Sequence, residues 1–371
     1  MRSTVLAGVP SNPGSKLSTP QANTGGGWVG SVVMKRRATT VVVGAVLVVA
    51  LTWLVGSADV PYVQMEPGPT YDTVAADDAV ISITGKETSK SEGELLFVTV
   101  RVRPNLTLLE ALRGWWQRDA AVVPRELVYP PDKTEKEVEQ QNAEEFARSE
   151  SSAQLAALAK LGYEERVAVA KVGEGAPAAG VLKEDDVFVS VDGTPVTTTD
   201  KLLELIRAKP VGTELTIEII RADKPQTVKI KTVAGDDGTP RIGVTPKVVR
   251  PHPFTVKIPV EDVGGPSAGL MLSLGIIDKL DPADLTGGKI IAGTGSIDDK
   301  GKVGPIGGVP QKLVAARRDG ATYFLTPKDN CAEAAANPQE GLTTVEVSTL
   351  DDALAALKTI REGGQPPLCT R

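Results

Sequence analysis

The stretch Val263-Gly-Gly-Pro-Ser-Ala-Gly-Leu270 (VGGPSAGL) runs directly into the apolar segment MLSLGII, and its reading decides the fold of the C-terminal third of the chain. Upstream, Phe254–Pro259 (FTVKIP) reads as a strand leading into the turn, and Ser267 to about Leu280 reads as a buried helix. Gly264 and Gly265 let the backbone bend sharply without steric cost. A serine in the first turn of such a helix sees unpaired N–H groups and the positive end of the helix dipole. Those donors can stabilise an oxyanion. Pro266 has no N–H, so an oxyanion hole would use the Ser267 amide and one neighbour. Ser267 is therefore either a packing device or a nucleophile, and a nucleophile needs a base.

The chain has one histidine, His252, held between prolines in Arg250-Pro-His-Pro253. A Ser–His–Asp triad would rest entirely on it. A lysine can serve instead if burial makes it neutral, since desolvation can lower its pKa by up to ~3–5 units. The best placed is Lys312 in GPIGGVPQKLVAA (Gly304–Ala316), where a Gly-rich turn opens a helix with Leu313, Val314 and Ala316 on its apolar side. Most lysines are solvated, and spacing alone leaves Lys312 open between surface residue and base.

The bulk of the chain narrows the alternatives. With 371 residues there is room for two domains and accessories, and 41% hydrophobic residues can fill a core, although aromatics are only 4%. A net charge of −6 argues against a nucleic-acid binder. No GxxxxGK[ST] pattern occurs, so nothing suggests ATP hydrolysis. Cys331 and Cys369 are too few and too far apart for a zinc site, and no metal or cofactor is expected.

Near the start, Ala38–Gly56 (ATTVVVGAVLVVALTWLVG) is nineteen residues without a charge. As a helix it would span about 28 Å, close to the hydrocarbon thickness of a bilayer. Lys35, Arg36 and Arg37 precede it, so the N-terminus is expected in the cytoplasm and the rest outside the cell membrane. A cleaved signal peptide is the other reading, with Gly56 and Ala58 at its cleavage site. Its apolar region would exceed the usual ~7–15 residues, which favours an uncleaved single-pass anchor. The expected divisions are a disordered tail (1–34), in which Met34 is an alternative start, then the basic flank and transmembrane helix (35–57). An extracytoplasmic leader (58–150) follows.

Within the leader, 59–72 reads as extended and Glu94–Val102 (ELLFVTVRV) as a strand. Leu106–Trp116 reads as a helix with Leu106, Leu109, Leu112 and Trp116 near one face. A charged helix is predicted from about Thr134 to Leu161, stopped by Gly162. A compact β-rich unit lies within 151–235. VAVAKV (Val167–Val172) alternates as a strand, Asp192-Gly193 marks a tight turn, and Asp200–Ala208 is an amphipathic helix stopped before Pro210.

Gly175-Ala-Pro-Ala-Ala-Gly180, Leu182, Asp185-Asp-Val187 and Val191-Asp-Gly193 make this unit resemble a PDZ domain of the bacterial protease type. The resemblance implies a groove between the VAVAKV strand and the 200–208 helix, where a peptide adds a strand. Val167, Val169 and Leu203 are its expected lining, and Leu161-Gly162-Tyr163 is the nearest match to the carboxylate-binding loop.

Beyond it, Gly265-Pro-Ser-Ala-Gly269, Thr294-Gly295, Gly301-x-Val303-x-Pro305-Ile-Gly-Gly308 and Lys312 resemble, in order and spacing, the proteolytic domain of the Lon family. That resemblance implies Ser267 as nucleophile, Lys312 as its base and Thr294 as the residue orienting the lysine. The position three before the serine, often acidic in ATP-dependent members, is Gly264 here, with Asp262 two residues earlier. The proteolytic domain is expected over 236–360, followed by a tail (361–371). The whole chain is similar to the YlbL-type PDZ–Lon proteases.

The expectation is an α+β protein: a membrane-anchored, ATP-independent serine endopeptidase whose PDZ domain selects protein substrates. The alternative is a catalytically inactive PDZ scaffold at the membrane, against which an intact serine and lysine argue. Hexameric assembly is implied only by family resemblance. An exported chain meets oxidising surroundings, so Cys331 and Cys369 are expected to pair, two free thiols being the alternative. The leader strand and helix are too small for their own core, and are expected to pack on the protease domain with the PDZ unit inserted between two parts of one fold.

Overall fold

The computed structural model describes residues 29–75, 80–260 and 263–370. The chain divides into two units at Ala58–Asp59. The first is helix α1 (Val29–Gly56). Its Thr39–Gly56 stretch has a mean hydropathy of 2.3, is unburied, and is long and apolar enough to cross a membrane. Residues 29–34, expected as part of a disordered tail, are helical. Once the apolar run nucleates a helix, each added residue gains a bond at little further cost, and no proline interrupts this stretch. The rest of the expected tail lies outside the described residues.

The second unit is mixed α+β. One six-stranded sheet runs in the order Thr343–Val347, Tyr323–Pro327, Ile290–Gly293, Glu94–Arg103, Tyr62–Asp72, Ala121–Pro124. The first four strands are parallel, and Tyr62–Asp72 pairs antiparallel on both its edges. Three of the six strands thus come from the leader, ahead of the PDZ unit, and three from the C-terminal third. Glu94–Arg103 sits near the middle. Its Leu95 and Phe97 enter the core on one face, while Leu96 and Val98 enter the core on the other. Burial on both faces is why ELLFV reads as a continuous apolar run.

Helices cover both faces. Leu106–Thr107 forms a short strand with Asp59–Val60, so α2 is Leu108–Trp116 rather than starting at Leu106. Thr107 caps it with Glu110 in a capping box, which fixes the helix start. A second capping box, Thr134 with Glu137, starts α3 (Glu135–Lys160). The short helix α4 (Thr199–Arg207) belongs to the PDZ unit. In α5 (Gly269–Leu280) every residue is buried, under α3 on one side and the sheet on the other. The opposite face of the sheet carries α6 (Val309–Arg318) and α7 (Cys331–Ala336). The last helix, α8 (Leu350–Arg361), packs with α5. Cys331 and Cys369 form a disulfide with a Cα–Cα distance of 4.8 Å. The tail is therefore not loose: Cys369 N–H donates to Thr344 O, and Glu346 N–H to Pro367 O. It covers the exposed edge of Thr343–Val347, an edge that would otherwise invite pairing.

The PDZ unit is an antiparallel sheet in the order Lys224–Lys231, Glu214–Arg221, Val187–Val191, Arg166–Val172, Val244–Val249. Its separate core is built on Val167, Val169, Phe188, Leu202, Leu215 and Ile217. Asp192 and Gly193 both take positive φ, 48° and 77°, as a tight two-residue hairpin turn requires.

Candidate active site

Ser267 lies in the turn before α5, two residues short of the first helical residue. The expected helix start at Ser267 fails for a local reason. The Ser267 carbonyl is taken by Gly295 N–H at 2.9 Å and by the Thr294 hydroxyl at 3.1 Å, so the helical ladder begins only at Ala268. The turn is held from α3 as well. Gly265, with φ of +82°, donates its N–H to Asn142 O at 2.8 Å, and Ser149 Oγ donates to Pro266 O at 3.0 Å.

Lys312 sits in the first turn of α6 and is only 3% exposed. Gly308, in the left-handed region at φ of 72°, caps that helix and receives the Lys312 N–H. The Lys312 ammonium donates to Thr294 Oγ1 at 3.0 Å. Burial brings its pKa down from 10.5 to about 7. The positive end of the α6 dipole pushes the same way. Thr294, itself fully buried, thus bridges the two: it accepts from Lys312 and donates to the Ser267 carbonyl. Ser267 and Lys312 line one cleft of about 630 Å³. Its opposite wall comes from the leader strands through Met65, Tyr71, Phe97, Thr99 and Arg101.

Gly264 and Asn142 explain the missing acidic residue. A Cβ at Gly264 would stand 2.7 Å from Asn142 Cβ, so α3 fills the space that a side chain at 264 would need. Asp262 lies outside the described residues. Sequence reasoning missed Asn142 and Ser149, because nothing local in the charged α3 sequence marks the turn it props. His252 lines a different cavity, its Nδ1 2.7 Å from Arg250 O and its ring tilted at 45° against Phe254.

The VAVAKV strand lacks the free edge that the expected peptide groove requires. Arg166–Val172 is paired on both edges, with Val187–Val191 and Val244–Val249, so no peptide can join it. Val167 and Val169 are accordingly fully buried in the PDZ core. Leu161 closes α3, Gly162 turns the chain at φ of 84°, and Tyr163 packs edge-on against Phe254. Leu161 and Tyr163 therefore pack against the core that holds α5, and none of the three belongs to the separate PDZ core, so they form no carboxylate loop there. Leu203 does line a groove, of about 400 Å³, whose other wall is Ile242, Gly243 and Val244. Val244–Val249 is the sheet's edge strand and has one side free. The local signal was Arg241-Ile-Gly-Val244 followed by alternating residues, directly after the turn Asp236-Asp-Gly-Thr-Pro240.

Comparison with known proteins agrees with this architecture. Residues 138–232 match the PDZ domain, and residues 242–359 match the Lon protease (S16) C-terminal proteolytic domain. The chain thus joins a PDZ domain to a Lon-type proteolytic domain. Over 117 residues it is 38% identical to the Lon protease of Azospirillum brasilense, covering 30% of this chain and 14% of that protein. It is 31% identical over 121 residues to Lon protease 1 of Bacillus subtilis, covering 31% of this chain and 15% of that protein. This chain therefore spans only a small part of the length of these relatives. Among solved structures, the PDZ domain of an SdrC-like protein of Listeria monocytogenes is 32% identical, covering 21% of this chain and 84% of that one at a TM-score of 0.21.

Proposed function

We propose that the chain is a membrane-anchored, ATP-independent serine endopeptidase in which Ser267 and Lys312 form the catalytic dyad. The observation that carries this is Lys312: an amine buried in the same cleft as Ser267, with a pKa of about 7, is available as a base at neutral pH. Ser267 Oγ attacks the scissile carbonyl while Lys312 takes its proton. Lys312 then returns that proton to the leaving amine, and water hydrolyses the acyl-enzyme by the same route. Thr294 keeps the lysine aimed, and Gly264 and Gly265 shape the turn that presents Ser267. The anchor is α1. Its N-terminal Lys35–Arg37 flank supports a cytoplasmic N-terminus, and the Cys331–Cys369 disulfide suits an oxidising compartment outside it.

The PDZ groove between α4 and Val244–Val249 captures protein substrates by strand addition, with Leu203 in its specificity pocket. The test is cleavage of a quenched peptide together with labelling by a serine-reactive probe. Ser267→Ala and Lys312→Ala should each remove nearly all cleavage, because the pair acts as a unit. Lys312→Arg should be equally inactive, since a guanidinium stays charged. Loss of activity in His252→Ala, with Lys312→Ala active, would overturn the assignment.

A further inference from the structure

Helix α2 reverses the usual arrangement of a surface helix. Its small residues face inward: Ala111 and Gly114 are buried, and a Cβ on Gly114 would stand 2.6 Å from Val122 Cγ2. Its large apolar residues face outward, with Leu109 65%, Leu112 50%, Trp115 54% and Trp116 91% exposed. At about 100° per residue these four fall within an arc of about 120°, so they form one apolar stripe. The stripe is held in place by the Thr107–Glu110 capping box and by Trp115 packing edge-on against Tyr62 at 5.5 Å. Arg113 borders it and Arg118 follows it. Exposed tryptophans flanked by arginines suit the boundary between headgroups and acyl chains.

Chain connectivity says which surface this is. The short strand just before α2 pairs with Asp59–Val60, and only Ser57 and Ala58 separate Asp59 from the end of α1. At no more than ~3.6 Å per residue, those three steps reach about 11 Å. If α1 spans a membrane, so short a tether leaves the start of this second unit within reach of that membrane's surface.

We propose that the Leu109, Leu112, Trp115 and Trp116 stripe is a docking face for the bilayer that α1 crosses, with Arg113 and Arg118 against anionic headgroups. This rests on the anchored reading above. Docking would fix the height of the catalytic cleft over the membrane, because α2 packs on Tyr62–Asp72, a strand that walls that cleft.

The test uses the full chain reconstituted in phosphatidylcholine–phosphatidylglycerol vesicles. An environment-sensitive fluorophore is attached at Leu109→Cys or, as a control on the PDZ hairpin, at Lys224→Cys; the two native cysteines are already paired. The probe at 109 should be blue-shifted and quenched by lipids carrying a spin label near the headgroup, and the probe at 224 should be neither. Adding Leu112→Glu and Trp116→Glu should abolish the quenching at 109. Retention of the wild-type chain in membranes washed with alkaline carbonate, with an unquenched probe at 109, overturns docking alone. A blue shift without lipid quenching means that a second protein copy covers the stripe, and also overturns it. Release of the wild-type chain by carbonate overturns the anchor, and the docking face with it.

Discussion

On the proposed mechanism, acidification should switch cleavage off through one side chain. With a Lys312 pKa of about 7, roughly nine-tenths of the enzyme holds a neutral lysine at pH 8, and roughly a tenth does at pH 6. The expected kcat/KM therefore falls about tenfold between those values, and the fall steepens towards unit slope only below about pH 6. Stability moves in a related way. The folded state disfavours the charged lysine, so the penalty is fully present below about pH 7 and is relieved as pH rises towards 10.5, where the unfolded chain also loses its proton. The displacement from 10.5 to about 7 corresponds to a penalty of about 5 kcal/mol. Lys312→Met should accordingly be inactive yet more stable than wild type at pH 6, with the advantage shrinking as pH climbs to 10. The assay is kcat/KM for a quenched peptide from pH 5 to 10 on the full chain in micelles, with denaturant unfolding at the same pH values. The acid limb must survive in His252→Gln, which removes the chain's one histidine. An acid limb centred near pH 10, or one removed by His252→Gln, would refute the reasoning.

Thr294→Val keeps the shape of a fully buried residue but removes the hydroxyl between Lys312 and Ser267. It should cost about 1–3 kcal/mol in unfolding free energy and lower kcat far more than it raises KM. Gly264→Ala should impair both stability and cleavage through the clash with Asn142 Cβ, with partial rescue by Asn142→Gly; no rescue would mean the clash is not the cause. Cys369→Ser opens a 38-residue covalent loop and frees the tail from Thr343–Val347. A chain-entropy treatment puts the loss at about 4 kcal/mol, readable as a fall in denaturant midpoint that reductant does not deepen. Residues 236–371 expressed alone lack the Tyr62–Asp72, Glu94–Arg103 and Ala121–Pro124 strands. The fragment should be insoluble or inactive, and a folded, active one would contradict the shared sheet.

What could be read in the sequence was whatever is local. Two glycines before Pro266-Ser267, the Gly-rich entry to α6 and the Asp192-Gly193 turn each declare a backbone conformation within a few residues. What could not be read was set by approach from a distance. Asn142 meets Gly264 across more than a hundred residues of chain, and α3 shows only a charged, capped helix to a reader of its sequence. The free edge of the PDZ sheet is a second case. VAVAKV and VTPKVV both alternate, and periodicity cannot say which of two neighbouring strands is the sheet edge. Only the pairing of Arg166–Val172 on both sides decides it. The position of the free edge has a mechanical consequence. Val244–Val249, the strand with the free edge, continues through Arg250 to Thr255–Lys257 and on to the turn that presents Ser267. Arg250 pins that passage by donating to Tyr163 O at 2.7 Å and pairing with Glu165 at 3.2 Å. On the proposed function, a strand added at the groove would lie on the same stretch of backbone that leads into the Ser267 turn, whereas the VAVAKV strand lies the whole PDZ unit away from it in sequence.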